Sequence, residues 1–294
     1  MRSAKVSSRA KSRDLLPLAA ALAALLLTFS AFAQSTILNS TGRRGTYAIR
    51  NATIVPVTSA PIANGTIVFS NGVITAVGAS ANVPADATVI DGTGLFVYPG
   101  MIDSGSNVGL VEIDSVAGTV DTSELGDFNP NSFAAVAVNP HSELIPVTRV
   151  SGVTHLVSTP EGGIISGQSA LIQLIGWTPQ EMVVKSPTAV HIRFPRLRSG
   201  GFGDQTQDED AEKEQRKAYT KDVDKLRDLL RDAQAYGKAA AARTSRKSVQ
   251  RFDRDLVLEA LVPAVERRVP VVMHANLARD IRAALAFADE FKLE

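Results

Sequence analysis

Short apolar runs at residues 48–57, 66–70 and 73–77 are separated by Asn64-Gly65 and Asn71-Gly72. Runs of this length predict strands, and Asn-Gly supplies the positive φ angles of tight hairpin turns. Val89-Ile90 and Leu95-Phe96-Val97 continue the texture up to Pro99-Gly100. Residues 47–97 are therefore expected to form a small antiparallel sheet of three or four strands. The rhythm then changes. Met101-Ile102 extends the run from Leu95 as a strand, and 153–157, 170–175, 189–194 and 269–273 are further short apolar strands. Val223, Leu226, Leu230 and Ala233 recur at helical spacing, with Lys and Asp opposite. A second helix is predicted from Asp253, with Leu256, Ala260 and Leu261 inward and Pro263 kinking it or ending its first part. A third carries Leu277, Ile281, Leu285 and Ala288 on one face. Strand and helix alternating in this way predict parallel strands joined by helical crossovers. The polar stretch 199–218 reads as a mobile loop whose back half starts a helix.

The N-terminus has a different pattern. Arg2, Lys5, Arg9, Lys11 and Arg13 precede an apolar run over 15–33, which ends in Ala31-Phe32-Ala33 before Gln34. Basic residues, a short apolar stretch and a small-x-small end are the parts of a secretory signal peptide. A spanning helix needs roughly 20 apolar residues, so length alone also admits an uncleaved anchor. The small residues before Gln34 favour cleavage and export to the periplasm or beyond. Residues 34–46 read as a flexible leader.

Composition narrows the chemistry. Of 294 residues, 31 are basic and 30 acidic; the signal holds five of the former and one of the latter, which leaves the remainder at −3. A weakly acidic chain without a basic stripe argues against nucleic acid as partner. After signal cleavage nothing in the pattern calls for a membrane, and nothing gives an oligomeric state. There is no cysteine, so no thiolate serves as ligand or nucleophile. A metal would have to be held by His, Asp, Glu or a modified Lys. The histidines are His141, His155, His191 and His274.

Pro99-Gly100-Met101-Ile102-Asp103-Ser104-Gly105-Ser106-Asn107, continuing through Gly109-Leu110, resembles the opening strand of the amidohydrolase superfamily, the imidazolonepropionase-like metal-dependent hydrolases. That family opens its (β/α)8 barrel with Pro-Gly-hydrophobe-Ile-Asp-x-His-x-His. Similar correspondence runs through Ser151-Gly152-Val153-Thr154, 162–169 and Pro270-Val271-Val272-Met273-His274-Ala275. The resemblance implies an α/β fold: a partial TIM-type barrel over 98–294, preceded by an incomplete β-sandwich over 47–97. A closed barrel takes roughly 250 residues. About 195 residues follow Pro99 and only four or five strands are legible, so the chain is expected to be the first part of a longer protein.

The resemblance also implies a function. It is hydrolysis of carbon–nitrogen bonds in small amides, cyclic ones included, by water activated on a divalent ion, zinc in the first instance. His274 matches the metal-ligating histidine of the fifth barrel strand. The two first-strand histidines are replaced by Gly105, which has no ligand atom, and Asn107, which offers a neutral amide oxygen. The more buried metal subsite is therefore expected to be lost. The alternative is a catalytically impaired relative that binds a small molecule. Lys185 matches a carboxylated bridging lysine only loosely, because Ser186-Pro187 beside it signals a turn. Asp103 and His155 read as structural, His141 as a turn residue, and His191 as a strand residue. Gly162-Gly163 to Gly167 reads as a tight loop at a strand end, since it lacks the Lys-Ser/Thr ending of a phosphate loop.

Overall fold

A computed structural model of the protein describes residues 44–197, 209–245 and 253–294. The expected signal segment, most of the expected leader and the polar stretch 198–208 lie outside the described residues. No described helix is long and apolar enough to cross a membrane.

The first sheet holds β1 (Thr46–Ile54), β2 (Ile62–Ser70), β3 (Val73–Gly78), β4 (Thr88–Asp91) and β5 (Phe96–Val97). Its order is β3-β2-β1-β4, with β5 also on β1. The hairpins are antiparallel as expected, but β4 and β5 pair parallel with β1. Asn71 and Gly72 have φ of 52° and 84° and join Ser70 to its partner Val73 in a two-residue turn. Asn64-Gly65 behaves differently from expectation. It lies inside β2, where Asn64 has φ 48° and the register with β1 slips. The positive φ is used for a β-bulge, not a turn.

The expected continuous strand from Leu95 to Ile102 is broken at Tyr98-Pro99-Gly100. β5 ends at Val97, and β6 (Met101–Ser106) belongs to another sheet. There β6 pairs parallel with β7 (Val153–Ser158), which it reaches through a long excursion carrying helices α1 (Ala134–Ala137) and α2 (Leu144–Val150). The backbone of Gly100 packs against the Thr154 side chain. A Cβ there would meet three atoms of the Thr154 side chain, its Cβ at 2.9 Å. Gly100→Ala is expected to cost about 1–3 kcal/mol by overpacking, read as a lower urea midpoint at unchanged slope.

Not all later strands are parallel. β8 (Ile165–Gln168) is fully buried and lies where a loop was expected. Only Ser169 separates it from β9 (Ala170–Gln173), yet β8 and β9 belong to different sheets. β9 runs antiparallel to β7, and β10 (Val183–Lys185), which follows the short helix α3 (Pro179–Met182), runs antiparallel to β9. β11 (Val190–Arg193) is antiparallel to β8 and parallel to β12 (Val271–His274). The sheets are β10-β9-β7-β6 and β12-β11-β8. Among the described residues no barrel closes, and the expectation of parallel strands holds for β6–β7 and β11–β12. A parallel crossover needs a dozen or more residues. The link from Gln173 of β9 to Val183 of β10 is too short for one, whereas β11 and β12 are separated by helices α4 (Glu209–Ser245) and α5 (Leu256–Val265).

Two hydrophobic clusters support this arrangement. Leu110, Ile145, Leu156, Ile172 and Met182 fill one. The other joins β8 and β11 to α4, α5 and α6 (Ala278–Phe291) through Ile165, Val190, Ile192, Leu226, Leu230, Leu261 and Phe287. The predicted face of α4 is the buried one, and its opposite side carries ion pairs such as Lys217–Glu214 and Arg231–Asp228. In α5, Leu261 and Ala264 are inward, but Leu256 is exposed. Asp255 caps that helix by accepting from the Val257 and Leu258 amides, and Pro263 sits inside it without ending it. In α6 the predicted stripe Leu277, Ile281 and Leu285 is exposed. Asp280, Ala284, Phe287 and Phe291 are buried instead. The aromatic stripe prevails because Phe287 packs edge-on against Phe194, with ring centroids 5.7 Å apart, and stays close to Phe291.

Candidate functional site

A cleft of about 710 Å³ opens between the sheet carrying β6–β7 and the sheet carrying β11–β12. Ser104, Gly105, Ser106 and Asn107 line it from the end of β6, and Thr159 and Glu161 from the segment after β7. Its far wall follows from strand periodicity. On β11, Val190 and Ile192 pack into the helical core while His191 and Arg193 line the cleft. On β12, Val271 and Met273 pack on that core while Val272 and His274 line the cleft. The cleft extends from Thr188, Ala189 and Pro270 before β11 and β12 to Arg193 and His274 at their C-terminal ends, and those C-terminal ends are where open and closed α/β sheets build their sites.

Arg193 and His274 are register partners. Nδ1 of His191 and Nε2 of His274 share a hydrogen bond of 3.0 Å, and the rings stack at 5.3 Å. One ring donates its N–H to the lone pair of the other. Whichever donates, the buried Nε2 of His191 is left without a partner. Burial pushes the His191 pKa down to about 4, helped by His274 and the positive charge of Arg193. Burial also lowers that of His274, with Arg193 adding to the effect and Glu161 opposing it. Both imidazoles are therefore uncharged at neutral pH. Arg193 and Glu161 form an ion pair at 3.5 Å.

The sequence placed some of this correctly. His274 lines the cleft, and Gly105 and Asn107 line its β6 wall. The other candidates lie elsewhere. Asp103 is exposed and accepts a hydrogen bond from the Gly105 amide at 3.1 Å. His155 is half-buried on β7, with Nδ1 2.9 Å from Thr154 Oγ1. His141 is exposed in a turn, where its amide donates to Asn139 Oδ1. Lys185 ends β10 on the surface, next to the cis Ser186–Pro187 bond. Sequence reasoning missed His191 as the partner of His274, and it missed Arg193 and Glu161 altogether. The signal for the first two was present in Val190-His191-Ile192-Arg193-Phe194, where polar residues alternate with apolar ones in a short strand.

The donor set decides how a metal would fare here. A catalytic zinc site takes three protein ligands. Among the described residues no group of three or more His, Asp or Glu is placed to hold an ion. Gly105 brings no donor and Asn107 only a neutral amide, while His274 Nε2 already faces His191. The described residues do not by themselves fit a divalent ion.

No protein-family model matches the chain, and no curated protein matches it. Among solved structures, an amidohydrolase from Thermotoga maritima MSB8 is similar over 84% of this chain, at 26% identity and a TM-score of 0.70. A D-hydantoinase is 31% identical over 31% of this chain and 18% of its own, with a TM-score of 0.21. A putative prolidase from Bifidobacterium longum is 28% identical over 32% of this chain and 22% of its own, also at 0.21. These two likenesses are too local to carry weight. The first establishes the class: the described chain has an amidohydrolase-like α/β fold, and the resemblance carried by Pro99-Gly100-x-Ile102-Asp103 extends to three dimensions. Gly105 and Asn107 stand at the end of β6, where the sequence resemblance led to the expectation of a lost metal subsite. The chain spans 63% of the length of the Thermotoga protein.

Proposed function

We propose that this protein is an amidohydrolase-type hydrolase acting on carbon–nitrogen bonds of small amides or cyclic amides, exported to the periplasm or beyond. The observation that carries the reading is the cleft: it runs along the inner face of the parallel pair β11–β12 and reaches the C-terminal ends of β6 and β12, with His274 at its wall. When Nε2 of the uncharged His274 donates to His191 Nδ1, its Nδ1 lone pair can accept a proton from an attacking water. His191, hydrogen-bonded to His274, fixes the ring's orientation. Arg193 can hold an anionic group beside it, and Ser104, Ser106 and Asn107 offer neutral hydrogen-bonding groups on the opposite wall. No step is assigned to a metal, since the described donors do not form a site for one.

The test is turnover. The purified protein would be assayed against hydantoin, dihydrouracil and N-acyl amino acids, once with chelator and once with added zinc or manganese. Hydrolysis of at least one substrate is expected, and His274→Ala should lower kcat/KM by at least about 100-fold. No turnover of any substrate under either condition overturns the hydrolase reading. The replacement of both first-strand histidines favours a second reading, a non-catalytic relative that binds the same class of ligand. That reading requires the panel to bind without turnover. Export is tested by fractionating cells and sequencing the N-terminus, which should begin at Gln34.

A further inference from the structure

We propose that the ligand of this cleft is a small amide bearing a carboxylate, and that Arg193 binds that carboxylate. The inference rests on the reading of the cleft as the ligand site and names the substrate class for it. The lining contains one cation, Arg193, and one carboxylate, Glu161. They face each other at 3.5 Å, with side chains 43% and 48% exposed. An ion pair so open to water contributes little to stability and is easily exchanged. A guanidinium offers its N–H groups in a planar fork that matches a carboxylate better than any neutral group. Glu161 thus occupies the place a ligand carboxylate would take. Arg193 is also level with His274 across β11 and β12, so a carboxylate held there brings an adjacent amide to the imidazole pair. The β6 wall supplies Ser104, Ser106 and Asn107, none of them charged, and Gly105 leaves room where its strand neighbours carry side chains. With one cation and a neutral facing wall, the cleft selects a monoanion.

The probes are N-acetylglycine and its neutral counterpart N-acetylglycinamide, which are nearly equal in size. Calorimetric titration of the full chain should show the acid binding at least about tenfold more tightly than the amide. Arg193→Gln should abolish that preference. Glu161→Gln should tighten the acid further, because the competing carboxylate is gone; a purely structural role for the ion pair predicts the opposite sign. Both side chains are half exposed, so circular dichroism should show both variants folded. Equal binding of acid and amide, binding of neither, a preference that survives Arg193→Gln, or weaker acid binding in Glu161→Gln each overturns the proposal. Hydrolysis of neutral amides with no preference for the acid would sink this inference and leave the hydrolase reading standing. Selective acid binding without turnover of any substrate would do the reverse.

Discussion

Leu226→Ala is expected to lower the unfolding free energy by about 3 kcal/mol, within the range of roughly 2–5 kcal/mol for truncating a buried leucine. Leu226 is fully buried on α4, one turn before Leu230 and two before Ala233. All three pack into the cluster that also holds Ile192 of β11, Leu261 of α5 and Phe287 of α6. α4 is long and its outer face is covered with charges, but exposed ion pairs of this kind contribute only about 0.3–0.5 kcal/mol each. The helix is therefore held by its apolar stripe, and a cavity there cannot be filled without moving a strand or a neighbouring helix. A loss of this size is a large part of a typical domain's stability of about 5–15 kcal/mol. Urea unfolding followed by circular dichroism checks it. A midpoint unchanged within error would mean that α4 does not pack as described. The same change at Leu256, which is exposed, should change the unfolding free energy by less than about 0.5 kcal/mol.

The second large effect is acid sensitivity. His191 is 4% exposed, and its pKa is lowered from 6.5 to about 4, chiefly by burial. The unfolded chain takes up this proton near pH 6.5, whereas the folded chain resists it until about pH 4. Between those values the unfolded state binds more protons, so stability falls as pH falls. The contribution is fully present above about pH 6.5, is lost progressively below it, and levels off below about pH 4. At roughly 1.4 kcal/mol for each tenfold change in proton affinity, it amounts to about 3 kcal/mol. His274, also lowered, acts in the same direction. Unfolding free energies measured from pH 7.5 to 4 in the presence of chelator should show this slope, and His191→Leu should remove about one proton from it. An identical slope in the variant would mean that His191 is not buried uncharged.

Much of the architecture was legible in the sequence, and the failures have definite causes. The stripe Val223, Leu226, Leu230 and Ala233 announced α4 and its buried face, because a helix of that length offers only one apolar side. α6 offers two apolar stripes, and the choice between them depended on Phe194, a residue 93 positions from Phe287 on another element. Asn71-Gly72 gave a turn, whereas Asn64-Gly65, the same dipeptide, gave a bulge. Both satisfy the positive φ of asparagine, and only the register with β1 distinguishes them. β8 was hidden because its glycine and serine residues carry no apolar pattern. It is a strand through burial and pairing with β11, not through side-chain preference.

The cleft divides in the same way. Gly105, Asn107 and His274 could be located from sequence because each lies within a local motif at a strand end. The sequence by itself determined that Gly105 and Asn107, not histidines, stand at the end of β6 and that one histidine closes β12. Only the tertiary structure decided that His191 meets His274 and that Arg193 and Glu161 pair beside them. Those partners are 83 and 32 positions apart, and no local pattern encodes the distance between them. Strand periodicity tells which face a side chain takes. Which strand lies opposite is set by where the helices between β11 and β12 find their core.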